Sequence, residues 1–323
     1  MKSKTKDRII HAILISVAFV TMLPFLFVIN NSLRTNSEMY HAFFGLPNSI
    51  KNMVRFTWQH YTGNDEQIIM KVSVEDELGQ TSFEEKKINY DEAMALSWER
   101  MTRGYKYSWG VLRGYMLNSF FVCIVSMFGV IFIASITAYI FARYKFPGRN
   151  FLFMAVLSFM MIPAVLTLVP SFLLVKQLGL LNSYWVLILP YIATGQIFAI
   201  FLFRSFFDGL PEDLFESARI DGAGHLSIYW NVVLPLSKPV IAVVAVLNIM
   251  GNWNNFLWPF ITNSDAQYHV VASGLYLMGQ SQMATNFSTM YSAYVLSSIP
   301  LLILFIYATK PFMQGVTSGA FKA

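Results

Sequence analysis

The chain has 323 residues, of which 55% are hydrophobic and only 13% charged, and its formal net charge is +5. Ordinary soluble domains carry about 25% charged residues, so the composition argues against a soluble globular protein. The single cysteine, Cys123, excludes an intramolecular disulfide and a cysteine zinc site. We expect its side chain to face lipid or the protein core.

Six apolar blocks contain no Asp, Glu, Lys or Arg and are long enough to cross a bilayer as helices. A charge at the centre of a bilayer costs about 3 kcal/mol even on the mild insertion scale, so this absence is informative. The predicted spans are Ile9–Asn31, Tyr115–Ala142, Phe151–Val175, Tyr184–Phe203, Val240–Ile261 and Phe287–Thr309. The sequence therefore predicts an all-α integral membrane protein with six transmembrane helices.

The basic residues predict the orientation of these spans. Thirteen of the 23 lie outside residues 32–113. With a cytoplasmic N-terminus, all of these except Lys176 fall on the cytoplasmic side, which is the positive-inside pattern. The first residues, MKSKTKDR, imitate a secretory signal, but the apolar run after them is too long, so we interpret it as a retained first span. We expect both termini in the cytoplasm, and the net charge does not indicate nucleic-acid binding.

The one sizeable polar segment, residues 32–113, is predicted to lie outside the cell membrane. Partial alternation of apolar and polar residues in Gln67–Glu75 and Thr81–Asn89 predicts a β-hairpin around a turn at Asp76–Gly79. Asp91–Arg103 predicts a short amphipathic helix, which Gly104 would end. The segment is therefore expected to be a small extracytoplasmic α+β insertion.

These features divide the chain into four parts. Residues 1–31 hold an N-terminal cytoplasmic segment and the first span, and residues 32–113 the outside domain. Residues 114–311 form the transmembrane core, which includes a cytoplasmic loop at residues 208–238. Residues 312–323 form a cytoplasmic tail.

The cytoplasmic loop predicts two short helices. Pro211 suits the first helical position, and the two acidic residues after it favour the positive end of the helix dipole. We expect a helix of about ten residues that stops at Gly222. A second helical stretch, Leu226–Leu234, is predicted to end at Pro235 and to lead into the fifth span.

This loop resembles the coupling loop of bacterial ATP-binding-cassette importers, which reads Glu-Ala-Ala, three residues, Gly, nine residues, Ile-x-Leu-Pro. The spacing is intact over 20 residues, with Ser for one Ala and Val for Ile. An Asp-Gly-Ala run common in sugar-importing members overlaps it. The resemblance implies that one set of residues couples this chain to an ATPase: Glu216, Ser217, Ala218, Asp221, Gly222, Ala223, Leu234 and Pro235. We expect Glu216 to fix the helix by hydrogen bonding or pairing, and Gly222 to permit the turn that ends it.

Two further stretches are similar to the carbohydrate branch of that family. Trp253–Pro259 (WNNFLWP) resembles the Trp-Asn-acidic-Phe-x-Trp-Pro run of sugar permeases, with Asn255 in place of the acid. The chain's last residues resemble the tail of the smaller maltose-type permease. In that tail, the residues that would contact the ATPase are Gly315, Thr317, Ser318 and Gly319. Residues Gly63–Tyr107 depart from the family pattern. They are either an added contact with the external binding protein or partner permease, or a lineage-specific decoration.

The resemblance implies a transport subunit without enzymatic activity of its own. It would form a heterodimer with a second permease and work with an ATP-binding-cassette ATPase dimer and an extracytoplasmic solute-binding protein. The substrate would be a sugar or oligosaccharide. The chain has no G-x-x-x-x-G-K-[ST] phosphate loop, so we expect ATP and Mg to be bound by the partner ATPase and this chain to hold no cofactor.

The fifth span carries candidates for the translocation path. Asn248, Asn252 and Asn255 follow one another at four- and three-residue steps and so share a helical face. Amides are unfavourable in lipid, and they could line a water-filled path together with Trp253. Packing between helices is the alternative, since amides also serve there.

Three other functions are weighed against the sugar permease. An importer of this family for a non-sugar solute is the nearest alternative. An ion-coupled secondary carrier would need charged groups inside the membrane, and the six blocks hold none. A membrane enzyme would need a catalytic cluster, which the sequence does not present, and the five histidines show no metal-ligand spacing.

Overall fold

The computed structural model describes residues 2–64, 68–75, 81–281 and 286–320, with side chains for all of these except 2–5, 72–84 and 310–320. The longer helices are α1 (Lys2–Ser32), α3 (Asn48–Tyr61), α4 (Tyr90–Arg143), α5 (Arg149–Ser158), α6 (Ala164–Gln177), α7 (Trp185–Asp208), α8 (Glu212–Ile220), α11 (Lys238–Trp253), α13 (Val271–Gln280) and α14 (Phe287–Ala320). The shorter ones are α2 (Asn36–His41), α9 (His225–Ile228), α10 (Leu234–Leu236) and α12 (Leu257–Thr262). The strands are β1 (Ile69–Glu75) and β2 (Thr81–Lys87).

Among the described residues, four helices, α1, α4, α7 and α14, are long and apolar enough to cross a membrane. Two further candidates are bent pairs: Arg149–Met161 with Ala164–Gln177, at 98°, and His225–Leu236 with Lys238–Trp253, at 74°. The count reaches the predicted six when each pair forms one span. The helical membrane fold and its small hairpin insertion are thus confirmed.

The third predicted span bends at Pro163. Ile162, just before it, is extended, with φ −80° and ψ 117°, because the proline ring disfavours helical backbone in the preceding residue. Pro170 lies inside α6 without ending it. Of the two prolines in this span, only Pro163 coincides with a break.

The fifth predicted span, Val240–Ile261, is wrong as one continuous helix. α11 ends at Trp253 and α12 begins at Leu257. The Asn255 side-chain oxygen accepts a hydrogen bond from the Trp258 backbone N–H at 3.3 Å. An asparagine that caps a helix start in this way favours a break in the helix before it.

The chain divides into two compact units. The first comprises Met1–Leu112 and Leu275–Ser298, and the second comprises Arg113–Gly274 and Ile299–Ala323. Both α4 and α14 contribute residues to each unit.

The first unit contains the predicted hairpin, whose strands pair antiparallel with Ile69 opposite Lys87. Its predicted turn, Asp76–Gly79, lies outside the described residues. Beside the hairpin is a small core in which Phe56, Ile68 and Met70 pack with Ile88 and Ala93. Phe56 comes from α3, a helix that the sequence did not predict.

The separate helix predicted over Asp91–Arg103 is wrong, because α4 runs for 54 residues from Tyr90 to Arg143. Gly104 lies inside it and is buried. A β-carbon there would stand 2.6 Å from Ser292 Oγ, so the glycine permits close helix approach instead of ending a helix. The proposed domain boundaries at residues 113 and 311 fall inside α4 and α14.

Candidate functional site

The loop between α7 and α11 contains α8, a nine-residue helix that begins after Pro211. It ends as predicted near Gly222, whose φ is +79°, in the left-handed region that favours glycine. The Ala223 N–H donates to Ala218 O at 2.9 Å and so satisfies one of the last carbonyls of the helix. The motif residues from Glu216 to Ala223 thus form the second half of one short helix and its end.

Arg143, the last residue of α4, holds the beginning of α8. Its Nη1 donates to Glu212 Oε2 at 2.7 Å, and its Nη2 donates to Phe207 O at 2.5 Å and Leu210 O at 2.9 Å. Its guanidinium carbon lies 3.9 Å from the centre of the Phe215 ring, in cation–π contact. The side chain is only 13% exposed. One arginine therefore binds the end of α7, the connection to α8 and α8 itself.

Glu212 completes this anchor. Its second oxygen accepts from Arg219 Nη2 at 2.8 Å, so one carboxylate bridges two arginines. Phe215, one turn along α8, is 2% exposed and belongs to the core cluster that includes Phe203 and Phe207. One face of α8 is thus fixed to the rest of the second unit by an ion pair and by apolar burial.

Other side chains of α8 are open to solvent. Glu216, one turn after Glu212, and Ser217 are exposed, and Ile220 is 86% exposed. Within the described part of the chain, no hydrogen bond or ion pair holds the Glu216 carboxylate, so its role in fixing the helix stays a prediction. Glu212 anchors the helix in this structure. The sequence contained a signal, since an acid stood at the predicted helix start and an arginine followed the second predicted span. Their pairing across 69 positions could not be predicted from it.

The stretch after α8 differs from the single helix predicted over Leu226–Leu234. A π-helical turn, Tyr229–Val233, lies between α9 and α10, and Pro235 falls inside α10 instead of ending a helix. Pro235 has no N–H to donate to the preceding turn, which favours such an irregularity. The chain changes direction at Ser237, whose hydroxyl donates to Val233 O at 2.5 Å.

A cavity of about 210 Å³ lies between α4, α7 and α11. Asn248 and Asn252 both line it, and the Asn252 amide donates to Asn248 Oδ1 at 3.0 Å. Thr194 and Gly195 of α7 line the same space. The structure thus brings together two of the predicted path residues in a polar cavity with an apolar surround.

The other two predicted path residues lie elsewhere. Asn255 caps α12, as described above. Trp253 is 4% exposed, and its ring packs edge to face on Phe120 with centroids 5.1 Å apart. Neither residue lines the cavity that contains Asn248 and Asn252.

The predicted tail residues and the single cysteine are the last candidates from the sequence. The tail residues Gly315, Thr317, Ser318 and Gly319 lie in the last turns of α14, and their side chains are outside the described set. Cys123 is 3% exposed and faces the protein core. Among the described residues, no group of three His, Cys, Asp or Glu side chains could hold a metal ion.

Apolar spans around a polar cavity, with an anchored surface helix between two of them, define a membrane transport protein of the permease class. Residues 130–317 match the family described as the binding-protein-dependent transport system inner membrane component. The chain belongs to this family. It is a multi-pass membrane permease of an ATP-binding-cassette importer.

Several relatives are permease proteins of named uptake systems. The diacetylchitobiose uptake permease NgcG of Streptomyces coelicolor is 34% identical over 64% of this chain and 69% of that relative. The arabinooligosaccharide permease AraQ of Halalkalibacterium halodurans is 35% identical over 64% and 72%. The sn-glycerol-3-phosphate permease UgpE of Yersinia pestis is 35% identical over 63% and 72%.

A solved structure shares the fold. It is a bacterial ABC transporter involved in the import of the acidic polysaccharide alginate, and one of its chains aligns with a TM-score of 0.67 at 18% identity. The alignment covers 97% of this chain and 98% of that one. The shared fold therefore includes most of residues Gly63–Tyr107.

Proposed function

We propose that this chain is a permease subunit that carries a sugar or oligosaccharide across the bacterial cytoplasmic membrane. It forms a heterodimer with a second permease and receives its substrate from an extracytoplasmic solute-binding protein. A separate ATPase dimer binds ATP and Mg and supplies the energy. The observation that carries the proposal is α8, a helix anchored by Arg143 while the side chain of Glu216 stays exposed.

An anchored helix with an open face is suited to transmit motion. Arg143 and Phe215 fix α8 to α4 and α7. A docked ATPase that displaces α8 therefore moves α4 and α7 with it as rigid bodies. Two sets of residues are proposed to touch the ATPase or to shape the surface on which it docks. They are Glu216, Ser217, Ala218, Asp221, Gly222, Ala223, Leu234 and Pro235 of the loop, and Gly315, Thr317, Ser318 and Gly319 of the tail.

The polar cavity supports a hydroxylated solute. The Asn248 and Asn252 amides offer donors and acceptors inside an otherwise apolar bundle, and sugar hydroxyls are bound by such groups. Two of the relatives are named for saccharides, diacetylchitobiose and arabinooligosaccharides. The relative named for sn-glycerol-3-phosphate favours a second candidate, an importer for a non-sugar solute.

The charge distribution supports an orientation with both termini in the cytoplasm. The basic residues Lys2, Lys4 and Lys6 precede the apolar part of α1, and α8 and its arginines would then lie on the same side as the ATPase.

Charge changes on α8 and just beyond its end test the coupling. Glu216→Lys and Gly222→Asp should leave the protein in the membrane at normal levels and abolish solute uptake. Glu92→Lys, which reverses an exposed acid at the start of α4, is the control and should keep normal uptake. Normal uptake by Glu216→Lys and Gly222→Asp would contradict the assignment. Purification of the native complex, with its solute identified by mass spectrometry, tests the sugar.

A further inference from the structure

A second and larger cavity, of about 920 Å³, lies in the first unit, and none of its lining residues belongs to the sites of the proposed function. Three parts of the unit line it: the beginnings of α2 and α3, the hairpin strands, and the N-terminal part of α4. Its lining includes the amides of Asn48 and Asn52. Ligand pockets typically measure about 300–1,000 Å³, so the cavity has the size of a small-molecule site.

Positive charge dominates this lining. Four cations, Arg55, Lys71, Arg100 and Arg103, face two carboxylates, Glu38 and Glu85, which gives 4 − 2 = +2 for the pocket.

Both carboxylates of the pocket already have partners. One oxygen of Glu38 accepts from Thr35 Oγ1 at 3.0 Å, and the other accepts from the Asn48 N–H at 2.8 Å. Glu85 lies 3.9 Å from Lys71 Nζ. These contacts leave the negative charge of both acids in place, and the lining keeps its net positive charge.

The three arginines are poorly compensated. Among the described side chains, no carboxylate lies within ion-pair distance of Arg55 or Arg100. Arg103 reaches only Glu99, at 3.7 Å. Burial and the neighbouring Arg103 charge lower the pKa of Arg100, and the charges of Glu38 and Glu99 offset this in part. The guanidinium groups of Arg100 and Arg103 lie one helical turn apart in a lining with net positive charge, and they create a local field that attracts negative charge.

We propose that this pocket is an extracytoplasmic binding site for an acidic saccharide. Carboxylates of the saccharide pair with the planar guanidinium groups of Arg55, Arg100 and Arg103, which match carboxylate geometry in bidentate fashion. Its hydroxyls bond to the amides of Asn48 and Asn52. The proposal rests on the proposed function for the side of the membrane and for the saccharide class.

Binding to the purified transporter complex in nanodiscs provides the test. The acidic probes are trigalacturonate and a chondroitin disaccharide, and the neutral probe is maltotriose. Both acidic probes should bind more tightly than maltotriose, and added salt should weaken their binding. Arg100→Gln should weaken acidic binding at least tenfold. Arg100→Lys should also weaken acidic binding, because lysine lacks the planar guanidinium group that pairs with a carboxylate through two hydrogen bonds.

A matched control and a second variant keep the result interpretable. Lys106→Gln removes an exposed cation from the same helix outside the pocket and should leave the affinity unchanged. Arg103→Gln serves if Arg100→Gln fails to fold, since the Arg103 side chain is 72% exposed.

Three outcomes would overturn the proposal: neither acidic probe binds; maltotriose binds as well as they do; or Arg100→Gln behaves like Lys106→Gln. A loss of affinity for the solute-binding protein alone, with saccharide binding intact, would instead identify a protein docking site. Failure of the proposed function is distinct, since it appears as normal uptake in Glu216→Lys.

Discussion

Glu212 Oε2 lies 2.7 Å from Nη1 of Arg143, and this ion pair joins the start of α8 to the end of α4. The family motif begins only at Glu216, so the anchor of the coupling helix lies outside the motif that identifies it. The motif face is thereby free for a partner, while a different set of residues holds the helix in position.

Removal of Arg143 should disconnect α8 from α4 and from the end of α7. Arg143→Ala deletes a largely buried cation with three hydrogen bonds, and hydrogen bonds to charged groups contribute about 1.5–3 kcal/mol each. We expect uptake to fall at least tenfold while the complex still hydrolyses ATP. Uptake and ATPase activity of the reconstituted complex measure this.

Lys145→Ala is the matched control, since it removes an exposed cation two residues further along. Equal uptake by Arg143→Ala and Lys145→Ala would rule out the anchoring role.

Gly222 should be required for its backbone conformation. Its φ is +79°, and no atom lies within 4 Å of the position that a β-carbon would occupy, so a side chain there meets strain but no clash. Left-handed backbone costs a non-glycine residue about 1–2 kcal/mol, and Asn tolerates it better than β-branched residues. Gly222→Val should therefore lower uptake more than Gly222→Asn. Gly224→Ala, where φ is −72°, should behave as wild type. A similar loss in the Val and Asn variants would point to a contact instead of a conformation.

The sequence predicted those features that local signals determine. Charge-free blocks indicated the spans, Pro211 and the acids after it indicated α8, and alternation indicated the hairpin. Long-range contacts decided the rest. Gly104 has the local signal of a helix end, yet it lies against Ser292, 188 positions further on, and α4 continues through it. The Arg143–Glu212 pair joins residues 69 positions apart, and no local pattern specifies it.

The cavity between α4, α7 and α11 should be sensitive to its amides. Asn252→Leu keeps the side-chain size but removes the hydrogen bond to Asn248 and makes the lining apolar. We expect uptake to fall severalfold with normal assembly of the complex. Asn254→Leu is the control, because Asn254 is exposed and only bonds back to Met250 O. If uptake survives in Asn252→Leu, the amide pair is a packing feature, which is the alternative that the sequence left open.

Close packing of α4 on α7 depends on Gly129. A β-carbon there would stand 2.5 Å from Ile192 Cδ1 and 2.8 Å from its Cγ1. Overpacking of this kind costs about 1–3 kcal/mol, so Gly129→Ala should lower the thermal unfolding temperature. Gly114→Ala, on the same helix with nothing within 4 Å, should not. Ile192→Val should restore part of the loss, and the absence of any rescue would place the clash elsewhere.

Acid should destabilise the second unit through His269. Its ring is 4% exposed, bonds to Ser273 Oγ at 3.1 Å and packs near Tyr115. Burial lowers the pKa of His269, and the nearby Asp265 offsets this only in part. The folded protein therefore binds fewer protons than the unfolded chain below about pH 6.5, so stability is lost as the pH falls through that value. Thermal unfolding at pH 5.5 and 7.5 should show a larger difference for wild type than for His269→Gln. His41→Gln, at an exposed position, should keep the wild-type difference, and an unchanged difference in His269→Gln would contradict this origin of the acid sensitivity.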